Sequence, residues 1–254
     1  MNAKVLLLRD QRSLRTDRWW IAPLATAIAL AAFVAYVAWA LWQDANYYAA
    51  PYLSPFYSPC LSARCAHATA ALVGDWWTLP PALLVLWVPL GLRATCYYYR
   101  KTYYRSFFLS PAACAVRDAA ASYQGEARFP LTLQNLHRYF FYLSVPVLGF
   151  VWHDAFAAFR FDGHPGIGAG SLVLLVNAAL LTLFAASCNS CRHACGGHLK
   201  SLHEAPVRHR AWRIVSRLNE RHREYAWLSL ASVALADLYI RLVACGAITD
   251  WRIL

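Results

Sequence analysis

Five apolar stretches, each long enough to cross a lipid bilayer, limit what this chain can fold into. A helix crosses the hydrocarbon core in roughly 17–25 mostly apolar residues, because no water is there to bond a backbone left open. Trp19 to Trp42, Trp76 to Leu92 and Ile167 to Cys191 contain no charge. Tyr139 to Phe159 is interrupted only by His153 and Asp154, and Ala226 to Ile248 only by Asp237 and Arg241. Those last two lie four apart on one helical face, where they can pair and lower the cost of burying both. The expectation is an all-α integral membrane bundle. It is one transmembrane domain over 1–254, with helices near 19–42, 76–100, 135–159, 167–194 and 224–248. The first stretch is too long for a cleaved secretion signal and lacks a small-residue cleavage site.

Composition decides between two readings of the net charge of +11. A basic chain suggests nucleic acid, but only 15% of residues are charged and mean hydropathy is +0.34, against about 25% charged in soluble domains. The charge is therefore read as topology, with no nucleic-acid partner. The segments 1–18, 93–138 and 192–225 hold twenty of the Lys and Arg residues. The alternate segments 43–75 and 159–166 hold two, Arg64 and Arg160. Basic loops stay in the cytoplasm, so the N-terminus is expected inside and the C-terminus outside. This gives a multi-pass protein of the cell's plasma membrane.

The two sides differ in material. The extracytoplasmic loop, about 43–75, opens NYYAAPYLSPFYSPCLSARC, with Pro51, Pro55 and Pro59 spaced by four. Proline forbids a regular helix and the aromatics suit the headgroup zone. Cys60 and Cys65 lie there, in an oxidising compartment that permits a disulfide. The cytoplasmic loops, about 101–134 and 195–223, are basic with apolar residues at helical spacing. Such segments contact anionic membrane lipid; their size and mix of Trp, His and Arg also suit a docking platform for a soluble partner.

Cysteine and histidine gather at the inner edge. In SCNSCRHACGG, residues 187–197, Cys188, Cys191 and Cys195 fall within an arc of roughly 60° if the fourth helix stays regular. Cys96 ends the second stretch, His137 starts the third and His222 precedes the fifth. A mixed set such as Cys96 and Cys188 or Cys191, with His137 and His193, suits a Rieske-type [2Fe–2S] centre. There two imidazoles raise the potential to roughly −150 to +300 mV, in the range of quinone chemistry. His193 points away from the cysteine stripe in a regular helix, and a helix C-terminus disfavours thiolate; Arg93, Arg100 and Arg192 would offset the second difficulty. Cys114 and Cys245 read as packing residues.

Other readings stay open at this stage. Haem b needs two facing histidines. His137 and His153 are about 24 Å apart along a helix, so a di-haem arrangement would pair His67 with His153 outside and His137 with His193 or His222 inside. A quinone-reactive dithiol at Cys188 and Cys191 would need the oxidising side. A cofactor-free membrane scaffold is the remaining reading.

The stretches NYYAAPYLSPFYSPC, TCYYYRKTYYRSFFLSPAACAV, NLHRYFFY, CNSCRHACGG and LNERH together resemble the single-chain, five-helix membrane-anchor (cytochrome b/C-type) subunit of actinobacterial-type succinate dehydrogenases. The resemblance runs from the first loop to the last helix. It implies an electron-transfer subunit of succinate:quinone oxidoreductase, respiratory complex II, that does not oxidise succinate itself. Its implied partners are an iron–sulfur subunit and, through it, a flavoprotein subunit, with quinone as substrate. It implies a Rieske-type cluster with ligands among Cys96, His137, Cys188, Cys191 and His193. Asn189 stands where the family pattern leads one to expect histidine. Quinone contacts are expected at Tyr52, Tyr57, Trp76 and Trp77, with His67 or His153 as proton donor.

Overall fold

The computed structural model describes residues 15–65, 72–74, 76–116, 127–129, 131–197, 199, 201 and 204–254. The chain divides into two compact units, Met1–Ala35 with Ala94–Asn135, and Tyr36–Arg93 with Leu136–Leu254. Eight α-helices run through the described residues. They are α1 (Ile21–Gln43), α2 (Leu83–Thr95), α3 (Tyr97–Phe107), α4 (His137–Ala157), α5 (Ala169–Ala186), α6 (Asn189–Gly196), α7 (Pro206–Glu220) and α8 (His222–Ala244). Four segments have the length and composition of a membrane span: α1, Leu131–Ala157, α5 and α8.

The second and fourth apolar stretches depart from the expected helices. The second becomes helical only at Leu83, after Pro80 and Pro81, and α2 is a shorter apolar helix. It stops at Cys96, whose backbone is extended (φ −63°, ψ 131°). The fourth stops at Ser187, and Cys188 is likewise extended (φ −70°, ψ 145°) before α6 begins. The regular helix expected through Cys191 is thus corrected. The break resets the angular frame, so the single-face argument for three cysteines does not hold. Two segments expected as loops are partly helical, carrying most of α3 and all of α7.

In the larger unit α5 packs on both α4 and α8. Ala155, Ala158, Ala178 and Ala236 are almost fully buried at these contacts, beside Leu174 and Ile240. Lipid tails are as apolar as leucine, so helices in a membrane gain little by hiding leucine from lipid; small residues let backbones approach and dispersion does the holding. Many large apolar side chains face outward instead, as on α1, where Val34, Trp39 and Trp42 are exposed.

One end of this unit is closed by the loop after α1. Strands β1 (Tyr48–Ala49) and β2 (Tyr52–Leu53) form a small antiparallel pair. Beyond them three hydroxyls reach three carboxylates. Ser54 donates to Asp237 on α8, Ser58 to Asp154 on α4 at 2.5 Å, and Tyr52 to Asp250 in the C-terminal tail at 2.6 Å. Asp237 also accepts from Tyr36 at 2.6 Å and from Arg241 Nε at 2.7 Å. The remaining Arg241 donors bond Gln43 Oε1 and the Ala45 and Ala40 carbonyls at 2.7–3.1 Å. The pair read from the sequence is therefore present, buried and fully bonded, as a charge inside a membrane must be. The tail adds Ile253 N–H to Ile167 O at 2.8 Å, while Gly170 N–H and Tyr239 donate to Asp250. Gly170 is needed where it stands, since a Cβ there would come within 2.6 Å of the Tyr52 ring.

The strand pair β3 (Arg160–Phe161) and β4 (His164–Pro165) joins α4 to α5. Its turn residues Asp162 and Gly163 have φ of 51° and 87°, as a two-residue hairpin turn matching strand twist requires. In the smaller unit, Gln134 anchors α3. It donates to the Tyr103 and Tyr104 hydroxyls at 2.8 and 3.2 Å and accepts from Arg100 at 3.3 Å.

Candidate functional site

At the other end of the larger unit, imidazole meets thiol. His137 is the first residue of α4, and its Nε2 lies 2.9 Å from Cys188 Sγ at the break between α5 and α6. Cys188 is buried. Its position follows from the extended backbone that precedes α6, which turns the thiol off the course of α5.

A second break, at Arg221 between α7 and α8, is tied to the first. Asn219 Nδ2 donates to the Ser187 carbonyl at 2.6 Å, and Ser187 Oγ lies 2.7 Å from His222 Nδ1. The His222 ring stacks on Phe184, with centroids 5.3 Å apart and planes at 16°. The Arg93 guanidinium sits 4.5 Å from the centroid of that same Phe184 ring and bonds Ser229 Oγ at 3.1 Å. A fixed positive charge therefore stands beside the His222 ring and its phenyl neighbour. The α6–α7 pair supports this end: Arg192 bonds Ser216 at 3.0 Å and covers Trp212, and Arg208 bonds the Cys195 carbonyl at 3.0 Å.

The other sequence candidates are placed differently. Cys96 is buried at the start of α3 and belongs to the smaller unit. Cys191 lies against Cys195; burial first, and that neighbour second, push its thiol up to about 11. The His193 ring folds back over Gly197, where a Cβ would stand 2.6 Å from its Nε2. Among the described residues no three His, Cys, Asp or Glu side chains converge as a metal site. His222 stood outside the expected ligand set, although its place just before the last apolar stretch was legible in the sequence.

Of the candidates at the loop end, Tyr57 is buried, stacks on Tyr47 at 3.9 Å and donates to Asp44 at 3.1 Å. Burial pushes the Tyr52 hydroxyl up to about 12, with its bond to Asp250 acting the same way. Both phenols are spent on the fold. Trp76 is exposed and meets Trp77 edge to face at 5.9 Å. His153 is exposed on Asp154, its Nδ1 at 3.0 Å from Oδ1. Cys60 and Cys65 are joined by a disulfide. His67 lies outside the described residues.

Residues 21–246 match the family described as actinobacterial succinate dehydrogenase subunit SdhC. The chain belongs to that family. A solved chain from the Mycobacterium smegmatis Sdh1 complex in the apo form is 48% identical, covers 96% of this chain over 95% of its own length, and superposes with a TM-score of 0.89. No curated protein matches the chain. The SdhC chain described here is thus a membrane subunit of succinate dehydrogenase, with several apolar helices suited to a multi-pass plasma-membrane protein.

Proposed function

We propose that this SdhC chain docks the iron–sulfur and flavoprotein subunits of succinate dehydrogenase on its cytoplasmic face and delivers electrons from succinate to quinone. The observation that carries the proposal is the His137–Cys188 contact, laced to His222 at the end of the larger unit. The Lys and Arg distribution supports placing that end in the cytoplasm, with five crossings and α2 as the short one. The arginines of α7 give the docking face its charge.

The donor chemistry suits a Rieske-type [2Fe–2S] centre. Two of its donor types, thiol and imidazole, already touch, and a second imidazole is held by Ser187. In this reading Cys188, His137 and His222 would be the ligands that the larger unit supplies. His222 takes the place expected of His193, and Cys191 stays with Cys195. Such a group supplies a one-electron carrier whose potential suits quinone. Arg93 holds positive charge nearby, favouring negative charge there, and the Phe184 ring keeps water from the His222 face. The haem reading has less behind it, because His137 Nε2 faces sulfur rather than a second imidazole. The exposed Trp76 and His153 are the better quinone contacts at the loop end; Tyr52 and Tyr57 act as struts.

Paramagnetic resonance of the purified complex tests this. A reduced [2Fe–2S] signal of Rieske type should vanish in His137→Ala and Cys188→Ala, with quinone reduction lost and succinate oxidation by a soluble dye retained. His193→Ala should keep the signal. Haem bands, or no signal attributable to this subunit, would refute the cluster.

A further inference from the structure

We infer that α3 lies in the headgroup layer of the membrane and holds the phosphate of an anionic glycerophospholipid between Lys101 and Arg105. At 100° per residue, Tyr97, Lys101, Arg105 and Phe108 fall on one face of this helix, and Tyr99 and Tyr103 fall opposite. The structure keeps that division. Tyr99 is buried, and the Tyr103 hydroxyl donates to the Ala94 carbonyl at 3.1 Å and accepts from Gln134. On the other face Tyr97, Lys101 and Phe108 are exposed. Phe107 and Leu109, on either side of Phe108, are exposed as well.

The helix supplies nothing negative for the cations on this face. It carries Arg100, Lys101 and Arg105 and no acidic residue. Arg100 is engaged: it bonds Gln134 Oε1 and lies over the Tyr97 ring, 5.0 Å from its centroid. Arg105 Nε, by contrast, is buried with no hydrogen-bond partner among the described residues. A charged donor shut away from water without an acceptor is costly, and like charges four apart on a helix repel. One anion set between Lys101 and Arg105 relieves both penalties. The apolar surroundings say which anion. Phe107, Phe108 and Leu109 suit acyl chains, tyrosine suits the headgroup zone, and basic side chains attract anionic lipid. A second contact within the same unit gives the depth. Arg15, six residues before the span α1, donates to the Cys114 carbonyl at 3.0 Å, so the chain just after α3 stands level with the end of a span.

The test uses the whole purified complex in detergent. The probe is a phosphatidylglycerol with a photoactivatable group near its phosphate, and its cross-links are mapped by mass spectrometry. Wild type should be labelled within residues 97–109. Unlabelled phosphatidylglycerol should compete, and phosphatidylcholine and inorganic phosphate should not. A basic side chain near an anionic surface contributes roughly fivefold in affinity, so Lys101→Gln and Arg105→Gln should each weaken binding about fivefold and the two together about thirtyfold. Added salt should weaken binding to the wild type as well, a readout that needs no variant to assemble. Label confined to other segments, or binding unchanged in the double variant, would overturn the inference. Displacement by inorganic phosphate would mean a site for a free anion, and equal displacement by phosphatidylcholine a site blind to charge; either would overturn the lipid. So would a carboxylate cross-link joining Lys101 to an acidic segment of another subunit.

Discussion

Removing Asp237 should cost this protein more than any surface change, because it strands a buried cation. Asp237 is completely buried, and Arg241 nearly so. The carboxylate accepts from Arg241, Tyr36 and Ser54. Breaking a buried ion pair from one side typically costs about 3–5 kcal/mol. The three acceptors that Arg241 keeps at Gln43, Ala45 and Ala40 pull the figure to the lower end, and the two stranded hydroxyls push it back. For Asp237→Ala we expect about 3–4 kcal/mol, or a melting point lower by about 6–16 °C at roughly 2–4 °C per kcal/mol for a chain of this size. The assay is tryptophan fluorescence of the detergent-solubilised complex during heating. Asp237→Leu with Arg241→Leu removes both charges and should be less harmful than Asp237→Ala alone, since a buried pair is often replaceable by apolar side chains. A single variant melting within 1–2 °C of wild type would refute the reasoning, as would a double variant worse than the single.

Gly170→Ala should destabilise by about 1–3 kcal/mol, the usual cost of overpacking, since the new Cβ meets the Tyr52 ring; thermal melting checks it. Burial acts to raise the Asp250 carboxyl, but bonds from Tyr239, Tyr52 and Gly170 N–H outweigh it and hold it below the ordinary carboxylate value. Its stabilising effect is therefore present above about pH 4 and lost as pH falls through the lower folded value. Hydrogen exchange around residues 250–254 should rise on that acidification, and less so in Asp250→Asn. Cys60→Ser should cost about 2 kcal/mol by releasing a short closed loop, read from melting with and without reductant.

Four of the apolar spans were legible because hydropathy over twenty residues sums many small terms of one sign. The pairing of Asp237 with Arg241 was legible because four residues make one helical turn. The breaks at Cys96 and Cys188 were not, because neither contains the glycine or proline that usually signals one. Cys188 ends α5 only in company, through Ser187, Asn219 and His222 from distant segments. The same break parts the expected ligands Cys188 and Cys191, which a regular helix would have kept on one face. With a continuous helix Cys191 and His193 look as eligible as Cys188, and His222 looks like an ordinary basic residue at a span's start. The place of His137 does not depend on that break, because it begins a helix whichever way the fourth stretch runs.

The hydroxyl clasps at the loop end also impose an order on synthesis. Ser54, Ser58 and Tyr52 leave the ribosome early, yet their acceptors Asp237, Asp154 and Asp250 follow 183, 96 and 198 residues later. The loop after α1 must therefore wait, unfinished, until α8 and the segment around Asp250 have been made. Residues made late thus lock a loop made early, and a chain cut short before Asp237 would leave that loop ajar.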